Sequence, residues 1–237
     1  MNTMIVRPDS GVITVIERFA THTESGLPTD GKFQVTNTPP DPTASAVPSA
    51  ATRAARDHLE KSLRHTEGFV SATLLQGQGG EIALYSQWNT TDPAVTQVRP
   101  EWSLRTAFTD ANDIQLVDAR TFSVDFVAPG QQTLFSRTAT PHAHFGVFTM
   151  PPHAQDELLE AARVSAPRSI GTPGLEAINF HRSLDGSEVI NFGAWTTFAH
   201  FRELFQRPGF SADEKWYQGL ASFRNYFFAV LAVIDQP

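Results

Sequence analysis

The chain has 237 residues, a formal charge of −7 from 18 basic and 25 acidic side chains, 11% aromatic residues and no cysteine. That length allows one large domain or two small ones with a substantial core. An acidic balance without a basic run argues against a nucleic-acid surface. The absence of cysteine excludes a disulfide framework, a thiolate metal centre and a cysteine nucleophile.

The start, "MNTMIVRPDSG", lacks the basic and apolar stretches of a secretion signal. The longest apolar run, "YFFAVLAVI" (Tyr226–Ile234), falls well short of the roughly 20 residues that span a bilayer as a helix. A soluble, cytoplasmic protein is expected, with no membrane or nucleic-acid partner. "GVITVIERFA" (Gly11–Ala20) reads as a strand, and so does "KFQVTNTPP" (Lys32–Pro40), which prolines stop; either can be the first strand of a sheet. The Pro, Ser and Ala of Thr38–Ser49 mark a surface loop. Ala50–His65 then has Ala54, Leu59 and Leu63 near helical spacing. Glu67–Thr90 reads as a hairpin turning at "GQGG" (Gly77–Gly80), and "TFSVDFVA" (Thr121–Ala128) as a strand.

The same order then returns. "HFGVFTMPP" (His144–Pro152) matches Lys32–Pro40, and Ala154–Ala166 is helix-like through Leu158, Leu159, Ala162 and Val164. Pro173–Thr197 repeats the hairpin around an Asp-Gly turn: Gly68 falls on Gly174, Leu74 on Phe180, Glu81 on Glu188, Tyr85 on Phe192 and Trp88 on Trp195. Two β-α-β-β-α-β halves are expected, at residues 1–138 and 139–237. Helices cover one face of such a sheet, and its other face needs a second sheet. Two ferredoxin-like halves packed sheet to sheet, an intrachain α+β barrel, meet that need; two separate domains are the alternative.

The last hairpin strand, "EVINFGAW", carries one amide in an apolar run. Strand alternation puts Asn191, Gly193 and Trp195 on one face, with Gly193 leaving room between larger groups. Ile190, Phe192 and Ala194 take the other face and are expected against the helices. His142 and His144 share a face and could ligate a metal, but no convincing carboxylate follows, so a solvated linker pair is expected and no metal. His144 alone remains a candidate for proton transfer. His181 and Arg182 are expected to be exposed, Trp102 and Trp216 to be packing residues, and "SADEKW" (Ser211–Trp216) to start a helix. No hydrolase elbow or nucleotide-binding glycine motif occurs.

"PGLEAINFHRSLDGSEVINFGAW" resembles the antibiotic-biosynthesis monooxygenase family of the dimeric α+β barrel superfamily, through Pro173, Gly174, Leu184–Gly186, Val189, Asn191 and Trp195. The first half keeps "GFVSA" (Gly68–Ala72) and "SQW" (Ser86–Trp88), with Leu84 in the place of the amide. The resemblance implies a cofactor-independent monooxygenase that oxidises an anthrone-type aromatic polyketide to a quinone with molecular oxygen, in antibiotic or pigment biosynthesis. It implies catalytic roles for Asn191 and Trp195. The family's pocket tyrosine falls on Phe201 and its pocket arginine on Lys215, and these join Gly193 and His144 as substrate-binding candidates. Arg207 or Arg224 could replace the arginine. A polyketide cyclase, or a protein that only binds an aromatic ligand, remains open, as does a homodimer of pseudo-dimers.

Overall fold

A computed structural model describes residues 2–21, 49–77, 80–90, 92, 95–109, 114–211 and 215–237. In chain order these form β1 (Met4–Val6), β2 (Val12–Thr21), α1 (Ala50–Lys61), β3 (Phe69–Gly77), β4 (Ile82–Asn89), β5 (Ile114–Ala128), β6 (Thr133–Phe135), β7 (His142–Thr149), α2 (Gln155–Ser165), β8 (Leu175–Ser183), β9 (Glu188–Trp195) and β10 (Ser222–Asp235). Eight strands close an antiparallel barrel in the order β10-β3-β4-β2-β5-β8-β9-β7. Within it, β3-β4-β2-β5 and β8-β9-β7-β10 place their members in the same relative order. The first barrel strand is β2, the Gly11–Ala20 reading; Lys32–Pro40 and nearly all of the expected loop lie outside the described residues.

Ser49 starts α1 by accepting the Thr52 N–H at 3.1 Å. The helix buries Ala55 and Leu59, so its inward stripe runs one residue away from Ala54, which is exposed. Helix α2 follows Pro151 and Pro152, with Asp156 and Glu157 in its first turn where the helix dipole favours acids. It buries Leu158, Leu159 and Ala162, whereas Val164 is exposed.

Among the described residues the apolar side chains form three clusters. One fills the barrel with Ile16, Tyr85, Phe122, Phe145, Ile190, Phe192, Ala194 and Phe228. One lies under α1 and another under α2. Ile190, Phe192 and Ala194 therefore face the barrel interior, and the expectation that they pack against helices is corrected. Both faces of β9 are buried, so hydrophobic alternation, which tells inside from outside only when one face meets water, could not orient it.

Strands β1 and β6 pair as a ribbon whose Met4, Val6 and Phe135 join the interior cluster. Gln87 binds it by donating to the Ile5 carbonyl at 2.9 Å. Four residues along β2 from Thr14, the partner of Gln87, Arg18 meets Asp118 at 2.5 Å and Glu188 at 3.0 Å. No helix among the described residues is long and apolar enough to cross a membrane.

Candidate active site

Strands β10, β7 and β9 lie side by side, and their helix-facing residues form rows. Asn225, Gly146 and Asn191 make one row; Phe227, His144 and Gly193 make the next. Above them stand α2, the 3₁₀ turn Ala166–Ser169, the 3₁₀ segment Phe201–Gln206 and the turns before β10. Between this roof and the strand floor lies a cavity of about 60 Å³ open to the centre of a water-sized sphere. Aromatic side chains dominate its wall, with His144, Asn191 and Asn225 as polar groups of the floor.

Gly193 makes the arrangement possible. A Cβ there would sit 2.5 Å from His144 Cε1, and closer still to Nδ1. The imidazole leans over this gap and meets Trp195, whose Nε1–H donates to His144 Nδ1 at 3.0 Å. An indole nitrogen only donates, so His144 Nδ1 must be the acceptor and its proton must sit on Nε2. Burial pushes His144 down to about 4, which keeps it neutral near pH 7. His144 is thus a donor to any ligand, through Nε2–H, and is not poised to take a proton through Nδ1.

Asn191 is oriented as firmly. Its Oδ1 accepts the Asn179 N–H at 3.2 Å, which leaves the NH₂ end for a ligand. Phe201 is buried against Trp195 and Phe227 and lines the cavity. Gly193 does not line it; the room it leaves is filled by His144. Lys215 is exposed, bridged to Phe210, and not part of the lining. Arg207 donates to the carbonyls of Arg168 and Ile170 at 3.2 Å each, and Arg224 is exposed. A phenol still reaches the wall from Tyr217, which burial pushes up to about 12.

Several expectations are corrected here. His142 and His144 belong to strand β7 rather than a solvated linker, and His144 is buried. His181 is fully buried inside the barrel. Its Nδ1–H donates to the Asn179 carbonyl at 3.0 Å, which leaves Nε2 to accept the Tyr85 O–H at 2.9 Å. Arg182 is partly buried, paired with Asp125 and Asp156. Trp216 both packs on Phe148 and lines the cavity, while Trp102 stacks on Trp88 away from it. The helix expected at Ser211–Trp216 falls partly on residues 212–214, outside the described residues; Lys215 begins a series of turns.

Sequence reasoning missed Asn225. The signal was present, because "RNYFFAVLAVI" also places one amide beside an apolar run. The strand reading began one residue too late to include it.

The barrel and its roofed floor define a class by fold alone: the chain shares its whole architecture with an anthrone oxidase-like protein and with two proteins provisionally described as monooxygenases. Among solved structures, an anthrone oxidase-like protein superposes with a TM-score of 0.67 at 15% identity, over 98% of this chain and 97% of that one. A Fusobacterium nucleatum protein provisionally described as a monooxygenase gives 0.59 at 9% identity, over 96% of each chain. A Lactobacillus acidophilus protein described in the same way gives 0.53 at 11% identity, over 95% of this chain and 97% of that one. No protein-family model matches the sequence, and no curated protein matches it.

Proposed function

We propose that this protein is a cofactor-independent monooxygenase that converts an anthrone-type aromatic polyketide, or a similar phenolic, to a quinone during antibiotic or pigment biosynthesis. We also read the chain as a tandem duplication, with residues 1–138 and 139–237 as two ferredoxin-like halves. The observation that carries the functional reading is that two donors line one aromatic cavity from neighbouring rows of its floor: the Asn191 NH₂ and the His144 Nε2–H, the latter set by Trp195.

The chemistry asks little else of the protein. An anthrone methylene is acidic because its carbanion is delocalised onto the ring oxygen. Donors placed at that oxygen stabilise the anion in a site from which water is excluded. The anion passes one electron to dioxygen, the radicals combine to a hydroperoxide, and loss of water leaves the quinone. One dioxygen is consumed, one oxygen atom enters the product and the other leaves as water. The proton goes to solvent or to the substrate's own phenolate, since His144 already carries its proton on Nε2. The cavity as it stands holds only a few waters at 10–15 Å³ each. A tricyclic substrate therefore enters by pushing back the Phe201–Gln206 segment or the Trp216–Tyr217 turn.

Oxygen uptake with an anthrone in metal-stripped buffer tests the reading. Asn191→Ala should lower turnover on the order of 10²-fold, as removal of an oxyanion donor does, while loss of the Asn179 N–H bond costs about 1 kcal/mol and leaves the protein folded. Full turnover in a folded variant removes Asn191 from the reaction. Cyclised product formed without oxygen would identify a polyketide cyclase, and binding with no turnover a protein that only holds an aromatic ligand.

A further inference from the structure

Asn225 is 7% exposed, and its Oδ1 is completely buried with no hydrogen-bond partner. A carboxamide oxygen in that state gives up its hydration and receives nothing in return. Such a group is retained where a ligand or an ordered water completes it. Asn225 lines the same cavity as Asn191 and stands across Gly146 from it, one strand to the other side. Strand spacing puts the two Cα atoms ~10 Å apart, a span suited to two or three fused rings with an oxygen at each end. Between them the Phe223 ring lies over Gly146, where an added Cβ would come within 3.1 Å of it, and Phe148, Phe180 and Trp216 add further aromatic wall, against which fused rings can stack. The first half has no such pair: Leu84 stands in the place of Asn191 and Ala119 in that of Asn225, on either side of Glu17.

We propose that Asn225 is a second polar anchor of the cavity, and that the ligand is a fused aromatic with a hydrogen-bonding oxygen on the edge opposite the one that meets Asn191. The inference rests on the aromatic-substrate reading and deepens it. Asn191 and His144 hold the oxygen on which charge develops; Asn225 holds a remote hydroxyl and sets which way round the rings lie. The orienting contact decides which ring carbon faces dioxygen, so Asn225 governs regiochemistry without touching the reacting carbon.

The test compares 2-naphthol with 2,6-dihydroxynaphthalene by calorimetric titration of the full chain, wild type and Asn225→Leu. Wild type should bind the diol roughly tenfold more tightly, as one added buried hydrogen bond allows. Asn225→Leu should keep the 2-naphthol affinity and prefer the diol by only about the twofold that its symmetry supplies, and should melt no lower than wild type because it loses a buried unpaired amide. Asn225→Ser, too short to reach, should behave the same way and serves if leucine fails to fold. Equal diol preference in wild type and variant overturns the anchor, as would be seen if Asn225 held only water. A lower melting temperature with both ligands weakened also overturns it, by making Asn225 a structural residue. Binding of neither probe to wild type overturns the aromatic-pocket reading and the anchor with it.

Discussion

Gly193 shows how one absent methyl group sets the chemistry. Its backbone needs no unusual angle, so alanine there is excluded only by the imbedded imbalance of space: the new Cβ would overlap His144 and come within 3.1 Å of Trp195 Nε1. The imidazole would swing away, leaving the indole N–H buried without an acceptor. Gly193→Ala should cost about 1–3 kcal/mol of stability in urea unfolding and reduce oxygen uptake by at least tenfold; unaltered uptake would show that the Trp195–His144 bond plays no part. Asn191 stood out as an amide in an apolar strand and the family resemblance singled it out together with Trp195; both line the cavity. His144 was not legible in the same way, because its partner lies 51 residues on, and only strand register brings them together. Asn225 obeyed the rule that found Asn191 and was lost at a strand boundary, the part of an element that pattern reading resolves least well.

At the scale of elements, the two halves use the segment between hairpin and last strand differently. In the second half Phe201–Gln206 roofs a cavity. In the first half Glu17, in the place of Gly146, accepts the Ser103 hydroxyl and the Leu104 N–H, the latter at 2.8 Å, and ties Leu104–Phe108 down. Trp88, the counterpart of Trp195, donates to Ser86 at 2.9 Å instead of to a histidine. Leu84 alone suggests an apolar pocket in the first half, yet Glu17 and Arg18 of the neighbouring strand are both buried. Burial pushes Glu17 up from 4.5 to about 7, against the pull of Ser103, Leu104 and Arg105. The folded state then holds that proton longer than the unfolded chain, so Glu17's contribution is full below pH 4.5 and lost as pH rises through 7. Glu17→Gln, which keeps both bonds by accepting from Leu104 and donating to Ser103, should gain on wild type between pH 5 and pH 8, on the order of 3 kcal/mol. Urea titrations at the two pH values check this, and a constant gap would refute it. His144 and His181, both lowered to about 4 by burial, act in the opposite sense: their contribution is lost as pH falls from 6.5 toward 4.

Over the whole molecule, the order strand, helix, hairpin, strand was legible twice in the sequence, and the closure of the barrel from the need to cover a sheet face; the second α-helix expected in each half is, among the described residues, only a run of 3₁₀ turns. What could not be read was how far the halves are committed to each other. Two seams join them, β3 to β10 and β5 to β8, each a run of antiparallel pairing. Charges reinforce the union: Arg18 of β2 reaches Glu188 of β9, and Arg120 of β5 meets Asp185 beyond β8. Burial pushes Glu188 upward even with Arg18 and Arg120 beside it, so removing Arg18 leaves a carboxylate that the interior cannot solvate. Arg18→Met should therefore destabilise by about 3–5 kcal/mol, and adding Glu188→Leu should restore much of that loss, since a buried pair replaced together by apolar groups costs little. The barrel interior makes the stronger demand. Cut free, residues 139–237 would present Phe145, Ile190, Phe192, Tyr226 and Phe228 to water along with two unpaired strand edges, β8 and β10. Such a surface is sheet-pairing and apolar at once. Expressed alone, the second half should appear on size-exclusion chromatography as a dimer, each copy supplying the other's missing sheet, or should precipitate. A folded, stable monomer would mean that the sheet-to-sheet core does not hold the halves together.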